Sequence, residues 1–239
     1  MKVSMVRVLC GCVAMLLPMG VAADEQAEKI LSTTRYAATL QTQQDLHGNM
    51  SKNGKRTPVS LFLRNEDIQF LYRTKGGDNR FHMRLKDDHF KLFEINGGKT
   101  RAFSDAKLSE NINGTDISYE DLSMRFLYWK DATVVGEEKV NGQLCHKLRL
   151  INPSKTSGKY RIVYVWVHKK YGAMMKLVGY NAAGKPLKQF QVTDLMRIGK
   201  EYTLRKMRVD TIDAKTNKAV GITYLEFDKA KKAKPAKTR

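Results

Sequence analysis

Arg80-Phe81-His82-Met83-Arg84-Leu85 sets an apolar side chain at every second position, between polar ones. Successive side chains of an extended chain point to opposite faces, so this stretch predicts a strand with one dry and one wet face. Upstream, residues 60–64 read as a short strand, and Ile68, Phe70 and Tyr72 alternate in the same way. Gly76-Gly77-Asp78-Asn79 supplies the turn between these runs. Downstream, Asp87-Asp88 predicts a hairpin turn into a strand over 89–95, and Asn96-Gly97-Gly98 ends it. Short strands joined by tight turns predict an antiparallel meander.

Strand patterns resume over 136–140, 144–151, 160–168, 174–180, 188–194, 202–211 and 222–227. Asn181-Ala182-Ala183-Gly184-Lys185-Pro186 is turn chemistry between neighbours. Within 160–167 both parities are apolar, Ile162, Tyr164 and Trp166 on one side and Val163, Val165 and Val167 on the other. That strand is expected to be covered on both faces, by a helix on one of them. Two helices complete the reading. Residues 24–46 carry Ala27, Ile30, Leu31, Thr34 and Ala38 at helical spacing, a narrow face suited to covering a core. The second runs about ten residues from an N-cap at Ser118, with Leu122, Arg125, Phe126 and Trp129 along one side. The expected fold is mostly β: ten or eleven strands in a large curved sheet or incomplete barrel.

Residues 1–23 read as a secretory signal, with Lys2 and Arg7 before an apolar run over 8–17 and Val21-Ala22-Ala23 as the cleavage site. That run is too short to span a bilayer, which takes about 20 residues. Leu9-Cys10-Gly11-Cys12 faintly resembles an acylation signal, but cleavage there leaves a hydrophobic core of only a few residues. The expected division is a signal over 1–23, one domain over 24–228 and a basic tail over 229–239, with a periplasmic product. The tail holds six Lys or Arg and no acid. The whole chain carries a net charge of +19. In a periplasm that charge points to an anionic membrane surface or acidic envelope partners, and nucleic acid is not expected.

No catalytic signature emerges. Gly97-Gly98-Lys99-Thr100 lacks the first glycine of a phosphate loop, whose place falls at Phe93. The histidines His47, His82, His89, His146 and His168 show no tight metal-ligand spacing. Cys145, the one cysteine beyond the signal, lies in the strand-like run Leu144-Cys145-His146 and reads as packing. No metal and no cofactor is expected. Asp116, Glu120 and Asp121 could bind a cation or share acid–base duty. Alternatively, Asp116 and Asp121 fasten a loop to a helix N-terminus through backbone N–H groups, the preferred reading.

The stretch Gly114-Thr115-Asp116-Ile117-Ser118-Tyr119-Glu120-Asp121-Leu122 resembles the Gly-Thr-Asp-Phe-Ser-Tyr-Glu-Asp motif of the LolA-like outer-membrane lipoprotein-sorting proteins, with Ile117 for Phe. Two further stretches in the same order are similar to that family. Val140-Asn141-Gly142-Gln143-Leu144-Cys145-His146 carries His146 in place of an aromatic residue. Val165-Trp166-Val167-His168-Lys169 is followed by Tyr180-Asn181-Ala182-Ala183-Gly184-Lys185. The resemblance implies a half-open antiparallel barrel with helices as a lid over an apolar cavity that shelters acyl chains.

It also implies a carrier or binding protein for a lipoprotein or similar lipid, with envelope transport proteins as further partners. The alternatives are an exported enzyme acting on lipid or envelope substrates, or an adaptor for an acidic partner. On alternation, Phe70, Phe81, Met83, Leu85, Phe90 and Leu92 are expected to converge on one concave face. Trp166, Leu177, Phe190 and Met207 are expected to join them, with methionine thioethers adapting to variable shapes. The loop and lid helix are expected from Gly114, Thr115, Asp116, Ser118, Tyr119, Glu120, Asp121, Leu122 and Phe126.

Overall fold

A computed structural model describes residues 19–39, 44–64, 67–86, 89–96, 98–154, 157–198 and 201–229. The chain is an antiparallel meander. After helix α1 (Met19–Thr39) come β1 (Gln44–Lys52), β2 (Lys55–Arg64), β3 (Asp67–Thr74), β4 (Gly77–Lys86), β5 (His89–Asn96) and β6 (Lys99–Ala102). A crossing segment follows, with 3-10 turns at Asp105–Ser109 and Ile112–Gly114, helix α2 (Tyr119–Ser123) and a 3-10 turn at Arg125–Tyr128. The meander then resumes with β7 (Asp131–Val140), β8 (Gln143–Ile151), β9 (Ile162–His168), β10 (Met174–Tyr180), β11 (Pro186–Ile198), β12 (Glu201–Ile212) and β13 (Ala219–Phe227).

All thirteen strands form one sheet in the order β6-β5-β4-β3-β2-β1-β13-β12-β11-β10-β9-β8-β7. Each half is a simple meander, and the pairing of β1 with β13 joins the two. Gly48 makes that junction possible: a Cβ there would lie 2.0 Å from the Glu226 carbonyl oxygen, so only glycine lets the strands approach. β6 and β7 remain as free edges, which leaves a half-open barrel. Register shifts interrupt the pairings of β7, β10, β11 and β12, whereas β1 to β6 pair in unbroken register. Bulges bend a strand and increase its twist, so the bending devices concentrate in the second half.

The main core lies on the inner face, between the sheet and the covering segments. Ala27 and Leu31 of α1, Ile112, Ile117, Leu122, Phe126 and Leu127 of the crossing segment pack there against inward residues such as Met50, Val59, Phe81, Leu150, Val165 and Phe227. Each such large side chain stabilises the fold by about 1.5–3 kcal/mol through removal from water. A smaller cluster of Val140, Cys145, Trp166, Met175 and Val178 occupies the outer face, flanked by Tyr164 and Tyr180. Strand β9 is therefore apolar on both sides because both are covered. The inner parity of β9 lies under the cover that includes α1, as expected, and its outer parity packs beside strand residues of β7, β8 and β10. Burial pushes the Cys145 thiol above its usual range, as packing requires.

The mostly β, half-open architecture agrees with the sequence, with local differences. The strand count is thirteen because β1 and β6 escaped the alternation. The first helix is described as far as Thr39, and of the residues expected to continue it to 46, those over 44–46 belong to β1 instead. Leu46, Gly48 and Met50 are the inward parity of that strand. The second helix is five residues long, because Met124 adopts the left-handed conformation (φ 45°) and caps it. The side expected for it survives the break: Leu122, Phe126 and Trp129 are all buried. The expected turn at Asp87-Asp88 lies outside the described residues.

Candidate functional site

The crossing segment is clamped to the inner face by a buried polar cluster built on the 114–121 stretch. Its loop is shaped first by backbone: Asn113 (φ 47°) and Gly114 (φ 75°) are left-handed, and Ile112 N–H donates to the Ile117 carbonyl at 2.8 Å. Thr115 Oγ1 donates to the Ile112 carbonyl at 2.8 Å, fixing the loop from inside. Ser118 then caps α2 in a reciprocal box. Its Oγ accepts from Asp121 N–H at 3.4 Å, while Asp121 Oδ2 accepts from Ser118 N–H at 2.7 Å. Two otherwise orphaned donors at a short helix are thus satisfied.

Asp116 reaches away from the helix and into the sheet. Its Oδ1 accepts from Lys52 Nζ of β1 at 2.9 Å and from Thr211 Oγ1 of β12 at 2.8 Å, and its Oδ2 accepts from Thr223 Oγ1 of β13 at 2.9 Å. Gly221 leaves the space for this carboxylate: a Cβ there would stand 2.4 Å from Asp116 Oδ1. Burial works to raise the Asp116 pKa, but the hydrogen bonds from Lys52, Thr211 and Thr223 outweigh it and hold the carboxyl below its usual range. So Asp116 fastens the loop to three strands at once, where the sequence suggested a bond to the helix N-terminus.

Asp121 and Glu120 are spoken for in the same way. Besides the capping bond, Asp121 Oδ2 pairs with Lys188 Nζ of β11 at 2.5 Å, and Oδ1 accepts from Tyr160 Oη at 2.6 Å. Lys188 also donates to the Asp116 carbonyl. Burial, and then the Asp121 charge, push the Tyr160 hydroxyl well above its ordinary pKa, so it stays a donor. Glu120 accepts from Lys159 N–H at 2.8 Å and from Arg125 at 3.2 Å. Burial raises its pKa despite those partners. Every oxygen of the three carboxylates thus has a donor, and all three residues are buried. All three are thus engaged in ties within the fold, the arrangement that the capping and anchoring reading calls for.

Around this polar anchor the cover is apolar. Phe81 of β4, Phe103 and Tyr119 form a ring cluster with centroids 4.9–5.5 Å apart, and the Tyr72 and Tyr119 hydroxyls bond to each other. Of the residues expected on the concave face, Phe70, Phe81, Met83, Leu177, Phe190 and Met207 are buried in the main core, with Leu92 packed against it. Trp166 sits instead in the outer cluster, where its Nε1 donates to Glu138 at 2.8 Å. The side chains of Leu85 and Phe90 lie outside those described. Two clefts border the lid. One of about 190 Å³ lies beside Lys52, Lys55 and Gly114. The other, of about 110 Å³, lies beside Tyr72, Phe81, Phe103 and Tyr119.

Sequence reading missed the basic and hydroxyl half of the anchor: Lys52, Tyr160, Lys188, Thr211 and Thr223. Lys188 carried a usable signal, because it shares the inward parity of Phe190 and Val192 in β11. A lysine on a dry face demands a buried carboxylate.

A family model described as an uncharacterized protein matches residues 65–237. No curated protein matches the chain. Among solved structures, a domain from Vibrio parahaemolyticus assigned to outer membrane lipoprotein sorting is 16% identical, with a TM-score of 0.65 over 85% of this chain and 91% of that one. A DUF1329 family protein from Desulfovibrio piger gives 14% identity and 0.62, over 84% and 91%. A LolA superfamily protein from Nitrosomonas europaea gives 13% and 0.60, over 84% and 91%.

Proposed function

The chain belongs to the family whose model spans residues 65–237 and has the fold of the LolA-like lipoprotein-sorting proteins, and from that premise we propose that it is a periplasmic carrier or binding protein for the acyl chains of a lipoprotein or similar lipid. One observation carries the proposal. The apolar inner face of an open thirteen-stranded sheet is covered by one helix and short, irregular segments instead of a second sheet. Such a cover can be displaced without dismantling a hydrogen-bonded ladder.

Hiding a free acyl chain from water is worth about 0.8 kcal/mol per CH₂, so a carrier must offer a matching apolar surface. Ligand pockets of drug size measure about 300–1,000 Å³, and the two clefts at the lid are smaller than that. An acyl chain therefore enters by taking the place of lid side chains such as Leu31, Phe126 and Leu127, which now fill the inner face. The bound and free states exchange one apolar contact for another, so the net cost of opening is small.

Native mass spectrometry of protein purified from the periplasm should show stoichiometric lipid. Phe81→Asp should reduce binding of a fluorescent acyl probe far more than Arg84→Asp, whose side chain is exposed on the other parity. Absence of both co-purified lipid and probe binding, or equal losses in the two variants at matched folding, would sink the proposal.

A further inference from the structure

We propose that the cleft of about 190 Å³ between the β1–β2 hairpin and the 113–115 loop is a binding site for a phosphate-class anion. Lys52 and Lys55 stand directly opposite each other across the hairpin, next to the turn formed by the left-handed Asn53 (φ 49°) and Gly54 (φ 77°). Like charges in directly opposed positions are destabilising unless an anion lies between them. Asp116 answers only one of them, Lys52, through a single bond at 2.9 Å. Lys55 is exposed and makes no ion pair among the described residues.

The remaining lining supplies donors. An ammonium has three N–H groups, so Lys52 keeps two beyond the one given to Asp116. Asn113 Nδ2 donates one hydrogen to Thr57 Oγ1 at 2.8 Å. Its second amide hydrogen and the Thr57 hydroxyl hydrogen remain for a ligand. No carboxylate lines the cleft among the described residues. The floor is open as well: a Cβ added at Gly114 would meet nothing within 4 Å. Cations, amide and hydroxyl donors around a small polar space match the tetrahedral oxygens of a phosphate.

Two sources share that chemistry, a lipid headgroup and free phosphate. The headgroup source rests on the carrier reading, since the cleft opens beside the lid loop where a headgroup would project from buried acyl chains. Amide spectra of the ¹⁵N-labelled protein should be titrated with inorganic phosphate, with dihexanoyl phosphatidylglycerol and with neutral glycerol. Both phosphates should shift Asn113, Gly114 and Thr115, and glycerol should not. Lys55→Gln should weaken binding about tenfold, the worth of one charge-assisted hydrogen bond. Asn113→Asp, which puts a negative charge at the same left-handed position, should weaken it further, and Lys185→Gln in a distant turn should leave it unchanged. Tighter binding of the lipid assigns the site to a headgroup, and equal binding assigns it to free phosphate. Shifts spread evenly over surface lysine turns, or an unchanged affinity in Lys55→Gln, overturn the site. Acyl-probe binding measured in parallel keeps the two proposals apart: phosphate binding without probe binding leaves the cleft standing and removes the carrier.

Discussion

Replacing Lys188 with Met tests whether the buried cluster anchors the lid. The Lys188 and Asp121 side chains are 4% and 0% exposed and lie 2.5 Å apart. Removing one partner of a buried pair strands the other charge and costs about 3–5 kcal/mol. Against a typical domain stability of about 5–15 kcal/mol, that is a large share. Asp121→Asn in the same background removes the stranded charge and keeps a carbonyl oxygen for Ser118 N–H or the Tyr160 hydroxyl. One of those donors is then orphaned, at about 1–3 kcal/mol. The double variant should therefore be more stable than Lys188→Met alone. Urea unfolding followed by tryptophan fluorescence reads all three proteins. A loss below about 1 kcal/mol in Lys188→Met, well short of the buried-pair penalty, would refute the reasoning. So would a double variant less stable than the single one.

Ser118→Ala removes one half of the capping box and should cost about 1 kcal/mol by the same assay, with acyl-probe binding falling only as far as the loop loosens. Asp116 has a depressed folded pKa, so its contribution is present above the ordinary Asp value of 3.8 and is lost as pH falls through the folded value. Asp116→Asn should flatten the acid limb of the stability–pH curve, and an unchanged limb counts against the anchor. Glu120 has a raised pKa and the opposite sign: its contribution is full below 4.5 and is lost as pH rises through the folded value. Glu120→Gln should remove that decline. Deleting residues 229–239 should weaken association with anionic vesicles by about 1 kcal/mol per basic residue that reaches the surface. Probe affinity should stay, and its loss would make the tail part of the site.

Alternation made most of the sheet legible, because an inner dry face and an outer wet one leave a period of two in β3, β4, β8 and β11 to β13, while β9 stood out as apolar on both parities. β6 has no such trace: Lys99, Thr100, Arg101 and Ala102 are all exposed at a free edge, so no parity is dry. β1 is held by its neighbours rather than by propensity, since Gly48 weakens a strand and fits only because β13 passes so close. The break after α2 was hidden because Met124 is an ordinary helix former placed in a left-handed conformation by its surroundings. In the site, the capping box was readable because its partners are three residues apart. The Tyr160–Asp121 bond spans 39 residues and the Thr223–Asp116 bonds span 107, and no local spacing announces either.

The cover of the inner face is thus built from two unlike materials, and they are expected to move differently in the proposed carrier. Residues 114–121 are held by charged and hydroxyl groups from β1, β11, β12 and β13. Freeing them would strand three buried carboxylates, and no acyl chain can replace what they lose. Helix α1 and the Arg125–Tyr128 turn meet the sheet through Ala27, Leu31, Phe126 and Leu127, whose apolar contacts an acyl chain can reproduce almost one for one. Met124 lies at the boundary between the two, in a conformation that already departs from the helix on one side and the 3-10 turn on the other. Loading is therefore expected to displace α1 and the apolar side of the 125–128 turn about Met124, while the 114–121 loop stays docked with the Arg125 guanidinium still on Glu120. On that division the motif does not touch the lipid; it holds the frame against which the rest of the lid opens.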